Sequence, residues 1–274
     1  MAKHSRDDGR LIWLIGCGNM AGAMLEGWLA SGLPAGRFQA VRPSGNPVAG
    51  DVEVHRDLPA EPFGKAVVQL GFKPHMLAGI APDLARLIGP ETILVSILAG
   101  VELETLAAAL PGSAGIVRAM PNLPVALGNG AVGLISEDPD SAEAQLVGDL
   151  MARLGLAEWL DGEDGFNALT ALAGSGPAFL FRFIDALARA GADIGLEAGQ
   201  ARRLALATVD GAASMAAGSD LDAGALADRV ASPGGSTRKG LDVLDADGAL
   251  DRLVAATLAA AKRRNEEMAA EAKS

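Results

Sequence analysis

Hydrophobic positions in roughly the first 160 residues occur in short runs that alternate with amphipathic helical stretches. The runs expected to be strands are residues 11–15, 38–41, 66–72, 93–98, 115–118, 131–135 and 158–160. Helices are expected over residues 20–31 and 140–154. Strands that alternate with helices pack as a mostly parallel sheet covered by helices, so this pattern predicts an α/β region.

The second part of the chain has a different pattern, which is alanine-rich with helical periodicity and no strand signal. Helices are expected over residues 176–190, 197–217, 220–231, 237–245 and 249–270, with glycine-bearing turns between them. The change of pattern near residues 161–165 predicts two domains, 1–162 and 163–274. The expected fold class is therefore α/β plus all-α.

A glycine-rich turn follows the first expected strand. Residues 16–21 read Gly-Cys-Gly-Asn-Met-Ala and lead directly into a helix. In such a turn Gly16 permits the tight bend, Gly18 lets a pyrophosphate approach the backbone, and Ala21 lets helix and strand pack closely. The amides at the start of the helix, around Asn19 and Met20, then face the anion. The alternative is a turn that needs two glycines for geometry alone.

Arg42 follows the second expected strand, where an NAD-binding site normally has a carboxylate for the ribose 2′-hydroxyl. Arg42 and Ser44 offer a cation and a hydroxyl instead, which suits a 2′-phosphate. The expected cofactor is therefore NADPH, with NADH as a poorer substitute. The alternative is an ordinary surface arginine in a loop.

Two further strand ends are expected at the same edge of the sheet, where open α/β sheets bind ligands. They place Lys73 and Pro74 after the third strand, and Ala99 and Gly100 after the fourth, as further cofactor contacts.

Two small-residue turns open helices in the second part of the chain, at residues 174–178 and 232–237. Exposed backbone amides at a helix start can bind a carboxylate, and the hydroxyls of Ser236 and Thr237 lie beside them. Plain helix capping is the alternative for each turn. A dinucleotide site with a carboxylate site and no evident His, Cys or paired-carboxylate machinery suits hydride transfer to an activated C=N bond.

Composition excludes several classes of protein. The net charge of −11 disfavours binding to nucleic acid, and no uninterrupted apolar run approaches the ~18 residues of a membrane helix. The single cysteine, Cys17, excludes an intrachain disulfide, and the three histidines (His4, His55 and His75) have no metal-ligand spacing. We therefore expect no metal site, no membrane or nucleic-acid partner, and a cytoplasmic location.

Six motifs occur in an order that resembles the pyrroline-5-carboxylate reductase family. They are residues 16–21, Phe72-Lys73-Pro74, 96–100, Arg118-Ala119-Met120-Pro121-Asn122, 174–178 and 232–237. The resemblance implies an N-terminal Rossmann-type dinucleotide-binding domain and a C-terminal helical dimerisation domain, with dimers that assemble into decamers. It also implies the last step of proline biosynthesis, the NAD(P)H-dependent reduction of L-1-pyrroline-5-carboxylate to L-proline.

The resemblance also implies roles for individual residues. Asn122 joins the cofactor contacts. The turn formed by Ser232, Gly234, Gly235 and Ser236 holds the substrate carboxylate, and Thr237, the expected catalytic residue, lies near the ring nitrogen.

Four positions depart from the family pattern, at Gln69, Phe72, His75 and Leu98, and the chain has no tyrosine to act as a proton donor. Two alternatives remain at this point. One is another Rossmann reductase of the imine or β-hydroxyacid type, for which Asp185 on the helix after Gly176 is the residue to test. The other is a regulator that binds NADPH without turnover.

Overall fold

The structure, a computed structural model, describes residues 8–273. Its internal contacts divide the chain into two compact units. The first unit extends to Ser175 and includes the residues from Ala261 onward, and the second unit is Gly176–Ala260. The change of pattern along the sequence predicted an earlier domain boundary, between residues 162 and 163. The contacts assign residues 163–175 to the first unit, because the helix that begins at Glu163 packs on its sheet.

The first unit contains an eight-stranded sheet in the order β3-β2-β1-β4-β5-β6-β7-β8. The strands are β1 (Leu11–Ile15), β2 (Phe38–Val41), β3 (Glu53–His55), β4 (Ala66–Leu70), β5 (Ile93–Ser96), β6 (Gly115–Met120), β7 (Gly130–Ser136) and β8 (Gly155–Trp159). Every neighbouring pair is parallel except β6 and β7, which are antiparallel. The expected α/β region with a mostly parallel, Rossmann-type sheet is confirmed.

Ten α-helices are described. The first unit has α1 (Asn19–Ala30), α2 (Leu77–Ala85), α3 (Leu103–Ala109), α4 (Ala142–Ala152) and α5 (Glu163–Leu169). They are followed by α6 (Gly176–Asp193), α7 (Ala198–Ala217), α8 (Ala223–Val230), α9 (Ser236–Asp245) and α10 (Ala249–Lys273). A π-helical turn, Thr170–Gly174, follows α5. The expected helical character of the second part of the chain is confirmed.

Strand β3 was not predicted from the sequence. It has three residues, and it pairs with β2 through a register in which Val41 lies opposite His55. The connection between these parallel strands, residues 42–52, contains no helix. Such crossovers usually contain a helix, so the short connection leaves this edge of the sheet with loops alone.

The core of the first unit lies on both faces of the sheet. Trp28 of α1 is fully buried, stacks on Phe38 of β2 and donates its indole N–H to the carbonyl of Leu150 in α4, at 2.9 Å. On the other face Leu84 of α2 and Leu106 of α3 pack against β4 and β5. The sheet is therefore covered on both sides, as a parallel sheet requires.

The second unit buries little of its apolar surface. The helices α6 and α7 pack against each other, yet Ala188 is the only residue of α6 that is fully buried. Many large apolar side chains are exposed, including Leu180, Phe181, Phe183, Leu204, Leu206, Val243 and Leu253. Within the described residues one helical stretch, Glu163–Asp193, could cross a membrane by length and composition alone. Exposed large apolar side chains in this number indicate a site of association.

Candidate active site

The glycine-rich turn has the geometry of a dinucleotide-binding turn. Gly16 has φ +84°, and a Cβ at this position would lie 2.8 Å from the backbone nitrogen of Phe72. A side chain at Gly71 would lie 2.4 Å from the Gly16 carbonyl oxygen and 3.2 Å from the Cβ of Ala21. The turn, the end of β4 and the start of α1 therefore meet so closely that only small residues fit.

The start of α1 is open to a ligand. Gly18 is the N-cap residue, no side chain caps the helix, and a Cβ built at Gly18 would have no atom within 4 Å. Asn19 is exposed and Met20 is partly exposed. The first amides of a helix have no carbonyl partner within it, so an anion bound here would accept their hydrogen bonds.

Cys17 lies in this turn but is not suited to nucleophilic chemistry. Its side chain is buried, and burial raises the pKa of the thiol above its ordinary value. A buried, protonated thiol is a small apolar residue in practice.

Arg42 and Ser44 lie in the loop after β2. One guanidinium nitrogen of Arg42, Nη1, donates to the carbonyl oxygens of Asn46 (3.4 Å) and Pro47 (3.2 Å). The Ser44 hydroxyl is exposed and accepts a hydrogen bond from the Asn46 amide at 3.3 Å. Arg42 also lines a cavity of about 450 Å³ together with Gly18 and Asn19. The loop is thus held by its own contacts, with a cation facing the glycine-rich turn.

The other expected cofactor residues follow strands β4 and β5. Lys73 is exposed and precedes a single 3-10 turn that begins at Pro74. Ala99 is exposed, and Gly100 has φ +74°. A Cβ at Gly100 would lie 3.1 Å from the carbonyl of Met268, so the end of α10 packs against this loop.

Asn122, an expected cofactor contact, is held by hydrogen bonds within the first unit. Its side chain is buried, donates from Nδ2 to the Ala173 carbonyl at 3.0 Å, and accepts from the Ala131 amide at 2.9 Å. Both halves of the amide are therefore engaged within the protein, so Asn122 connects β7 to the π-helical turn. Nδ2 keeps a second N–H and Oδ1 a second lone pair, so the expected contact with the cofactor stays a prediction.

The buried Arg118 forms an ion pair with a partly exposed carboxylate beside this connection. It lies on β6, pairs with Glu163 at the start of α5, and stacks on the ring of Phe166 at 4.1 Å. Burial lowers the pKa of the guanidinium, and the adjacent Glu163 carboxylate opposes this shift. Glu163 also accepts a hydrogen bond from the amide of Leu103 at 3.0 Å, which ties α3 to α5.

The turn at residues 232–235 lies in the second unit, between α8 and α9. Its Pro-Gly sequence and the φ of +72° at Gly234 match a type II β-turn, which is closed by a 3.0 Å hydrogen bond from the Gly235 amide to the Ser232 carbonyl. The Gly235 amide was expected to bind the substrate carboxylate and is instead used inside the turn. The free amides of the first turn of α9, from Ser236 onward, are the remaining donors.

Thr237 is the second residue of α9 and is exposed. The N-cap is Gly235, and no side chain caps the helix. Thr237 is therefore not the capping residue, which was the alternative explanation for its presence. Because Thr237 is exposed in the first turn of α9, its hydroxyl is accessible to a ligand.

Two other candidates are not arranged for ligand binding. In residues 174–178 the Ser175 amide donates to the Thr170 carbonyl at 3.1 Å, so this segment continues a helical run rather than opening a nest. Asp185 on α6 is exposed and pairs with Arg189 at 2.6 Å. Among the described residues, which exclude His4, there is no cluster of three or more metal-ligating side chains.

Comparison with known proteins decides the family. Residues 163–268 match the model for the pyrroline-5-carboxylate reductase dimerisation domain. A pyrroline-5-carboxylate reductase of Pseudomonas aeruginosa is 37% identical over 264 residues, which cover 94% of this chain and 96% of that protein. The chain belongs to the pyrroline-5-carboxylate reductase family.

Other relatives agree along the whole length. The enzyme of that name from Pisum sativum is 34% identical and covers 94% of this chain and 96% of its own. The solved structure of a pyrroline-5-carboxylate reductase from Coxiella burnetii has a TM-score of 0.83 at 31% identity, covering 95% of this chain and 99% of its own. The Plasmodium falciparum structure, solved with NADP bound, has a TM-score of 0.80 at 24% identity over 95% of this chain and 98% of its own, and supports the fold. As a member of this family the chain is an oxidoreductase with a dimerisation domain.

Proposed function

We propose that this protein reduces L-1-pyrroline-5-carboxylate to L-proline with NADPH, the last step of proline biosynthesis. The observation that supports this most directly is the 37% identity to a named reductase over nearly the whole of both chains. That match covers 94% of this chain and therefore includes residues of both units.

The first unit binds the cofactor. Gly16, Gly18 and the free amides around Asn19, Met20 and Ala21 hold the pyrophosphate, since the space at Gly18 is open and the small Gly71 keeps the turn close to β4. Arg42 and Ser44 bind the 2′-phosphate, and Lys73, Pro74, Ala99 and Gly100 line the rest of the edge. Bound there, NADPH supplies the hydride that reduces the C=N carbon.

The second unit binds the substrate. The Ser232–Gly235 turn fixes the start of α9, whose first amides hold the carboxylate without a cationic side chain. The Thr237 hydroxyl hydrogen-bonds the ring nitrogen and orients the imine. Because an imine is a good hydride acceptor once protonated, positioning and exclusion of water are the main tasks of these residues.

Association completes the enzyme. The exposed apolar side chains of α6, α7 and α10 form the dimer interface, and the dimers assemble further into a decamer in the cytoplasm. A dimer explains the apolar stretch Glu163–Asp193 without a membrane, since this stretch lies within the matched dimerisation domain.

An assay of NADPH oxidation with L-1-pyrroline-5-carboxylate, and with a panel of other cyclic imines and 2-keto acids, tests the proposal. We expect turnover with pyrroline-5-carboxylate and release of L-proline, identified by mass spectrometry. Preferential turnover of another imine or a keto acid would identify a different reductase, and NADPH binding without turnover of any substrate would indicate a regulator.

A further inference from the structure

Two arginines follow neighbouring strands at the edge where the cofactor is proposed to bind. Val41 of β2 lies opposite His55 of β3, and the Arg42 amide continues the ladder with a 2.8 Å hydrogen bond to the His55 carbonyl. The next residue after each paired position is an arginine, Arg42 after β2 and Arg56 after β3. The parallel register therefore brings the backbone positions of the two arginines side by side at the carboxyl edge of the sheet.

The guanidinium of Arg56 lies against the loop that contains Ser44. A Cβ at Gly45 would be 2.9 Å from the Cζ, Nε and Nη2 atoms of Arg56. Gly45 also has φ +67°, a conformation that glycine adopts without strain. The loop can thus pass close to the guanidinium plane only because residue 45 has no side chain.

Arg56 also lines a cavity at this edge of the sheet. That cavity has a volume of about 840 Å³ and is bounded by Gly16, Val41 and Phe72 at the ends of β1, β2 and β4. Arg42 lines a different cavity, with Gly18 and Asn19. The two arginines thus line two cavities that meet the glycine-rich turn at consecutive residues, Gly16 in one and Cys17 and Gly18 in the other.

The two arginines differ in how many of their guanidinium N–H groups form hydrogen bonds within the protein. Nη1 of Arg42 donates hydrogen bonds to two carbonyl oxygens of its own loop. Within the described part of the chain, no hydrogen bond or ion pair engages the Arg56 guanidinium, which is exposed. In a chain with a net charge of −11, an unpaired guanidinium at a cavity is a ready site for an anion.

We propose that Arg56 is the second cation of the NADPH 2′-phosphate subsite and that it sets cofactor preference together with Arg42. The inference rests on the proposed function, because that function places the 2′-phosphate at this loop. A dianionic phosphate has more acceptor sites than one arginine can fill, and the planar fork of a second guanidinium matches them. NADH has no phosphate there, so Arg56 contributes little to its binding.

Calorimetric titration of the full-length wild type and variants with 2′,5′-ADP and with 5′-AMP tests Arg56 without turnover. We expect Arg56→Gln to weaken 2′,5′-ADP binding by ~10–100-fold and to change 5′-AMP binding less than about twofold, since one charge-assisted bond is lost. Arg56→Lys should retain part of the affinity, because it keeps the charge and loses the fork. Arg86→Gln is the matched control, since Arg86 lies in the same cavity but is paired with Asp83.

The titrations separate this inference from the proposal on which it rests. If the wild type prefers 2′,5′-ADP and Arg56→Gln keeps the same preference, the role of Arg56 is overturned while that of Arg42 stands. If Arg86→Gln lowers the preference as much as Arg56→Gln, the effect is one of general charge, and the specific role is again overturned. If the wild type binds both nucleotides equally, the proposed NADPH preference fails as well.

Discussion

Helices α1 and α6 show how differently the two units bury apolar residues. Five of the twelve residues of α1 are buried, including Met24, Leu25 and Trp28, because the sheet and α4 cover them. Of the 18 residues of α6 only Ala188 is buried, although the helix has Leu180, Phe181, Phe183 and Leu187. The first unit thus completes its core within one chain, whereas the second has an apolar surface that its own residues do not cover.

This difference explains why a hydrophobic pattern predicts a helix without predicting what covers it. In the first unit the covering surface comes from strands of the same chain. In the second unit the match to a dimerisation domain indicates that the covering surface comes from a second copy. The stability of the second unit should therefore depend on association, and that of the first unit should not.

The largest effect is expected from charges placed at exposed apolar positions of α6. The variant Phe181→Asp/Phe183→Asp removes two exposed phenylalanines per protomer. Each buried aromatic side chain is worth about 1.5–3 kcal/mol, so four per dimer predict a loss of association of at least ~10⁴-fold. Sedimentation velocity at micromolar concentration should show monomers.

Leu156→Glu, on β8 of the first unit, is the matched control. Leu156 is also a large exposed apolar residue, with 64% of its surface accessible. We expect this variant to remain associated. A stable monomer of the wild type, or equal dissociation by the two variants, would contradict the distinction between the two units.

The next largest effect concerns Thr237, which tests whether the second unit binds the substrate while the first unit binds the cofactor. Thr237→Ala should lower kcat and kcat/KM together by ~10–10³-fold, since one polar contact to the reacting ring is lost, and should leave NADPH affinity unchanged. Thr237→Ser should retain most activity. Steady-state kinetics and NADPH titration of the same protein measure both quantities.

A purely structural role for Thr237 predicts a different outcome. It would lower the melting temperature, with normal kinetics in the folded fraction. Thr208→Ala, an exposed threonine of α7, controls for loss of a helical hydroxyl in the same unit.

The complementary prediction for the first unit concerns Arg42. Arg42→Ala should raise the KM for NADPH more than the KM for NADH, which shifts the preference by ~10–150-fold, because a charged hydrogen bond of about 1.5–3 kcal/mol is lost. The kcat with saturating NADPH should change little. An unchanged ratio of the two KM values would show that Arg42 serves only its own loop.

Much of the first unit could be predicted because its signals are local. The two ends of each predicted strand lie within two residues of the ends of an observed strand. The exception is the last strand, which begins at Gly155, three residues before the predicted start. The roles of Gly16 and Ala21 follow from spacing alone, and the structure shows the close approaches that require them. Strand β3 escaped prediction because three residues, Glu53–His55, are too few for an alternating pattern.

Missing β3 also concealed a candidate site residue. Arg56 comes beside Arg42 only through the pairing of β2 and β3, which no motif encodes. Likewise the engagement of Asn122 and of the Gly235 amide depends on partners distant in sequence or on turn closure. The residues of a motif could be predicted from the sequence, but the hydrogen bonds already used by each could not.

The smallest effect comes from removing one helix cap in each unit. Ser141 caps α4 and Asp222 caps α8, each by accepting a backbone amide through a side-chain oxygen. Ser141→Ala and Asp222→Ala should each cost about 0.5–2 kcal/mol of local stability, and Ser141→Asp and Asp222→Ser, which keep a capping oxygen, should cost less.

Hydrogen exchange of the α4 and α8 amides, at protein concentrations above and below the dimer dissociation constant, measures the local stability of each helix. Since α4 is covered by its own chain, its protection should not change with concentration, while α8 in the Asp222→Ala variant should lose protection as the dimer dissociates. Equal concentration dependence in α4 and α8 would show that the two units unfold together, and that the second unit is not separately stabilised by its partner.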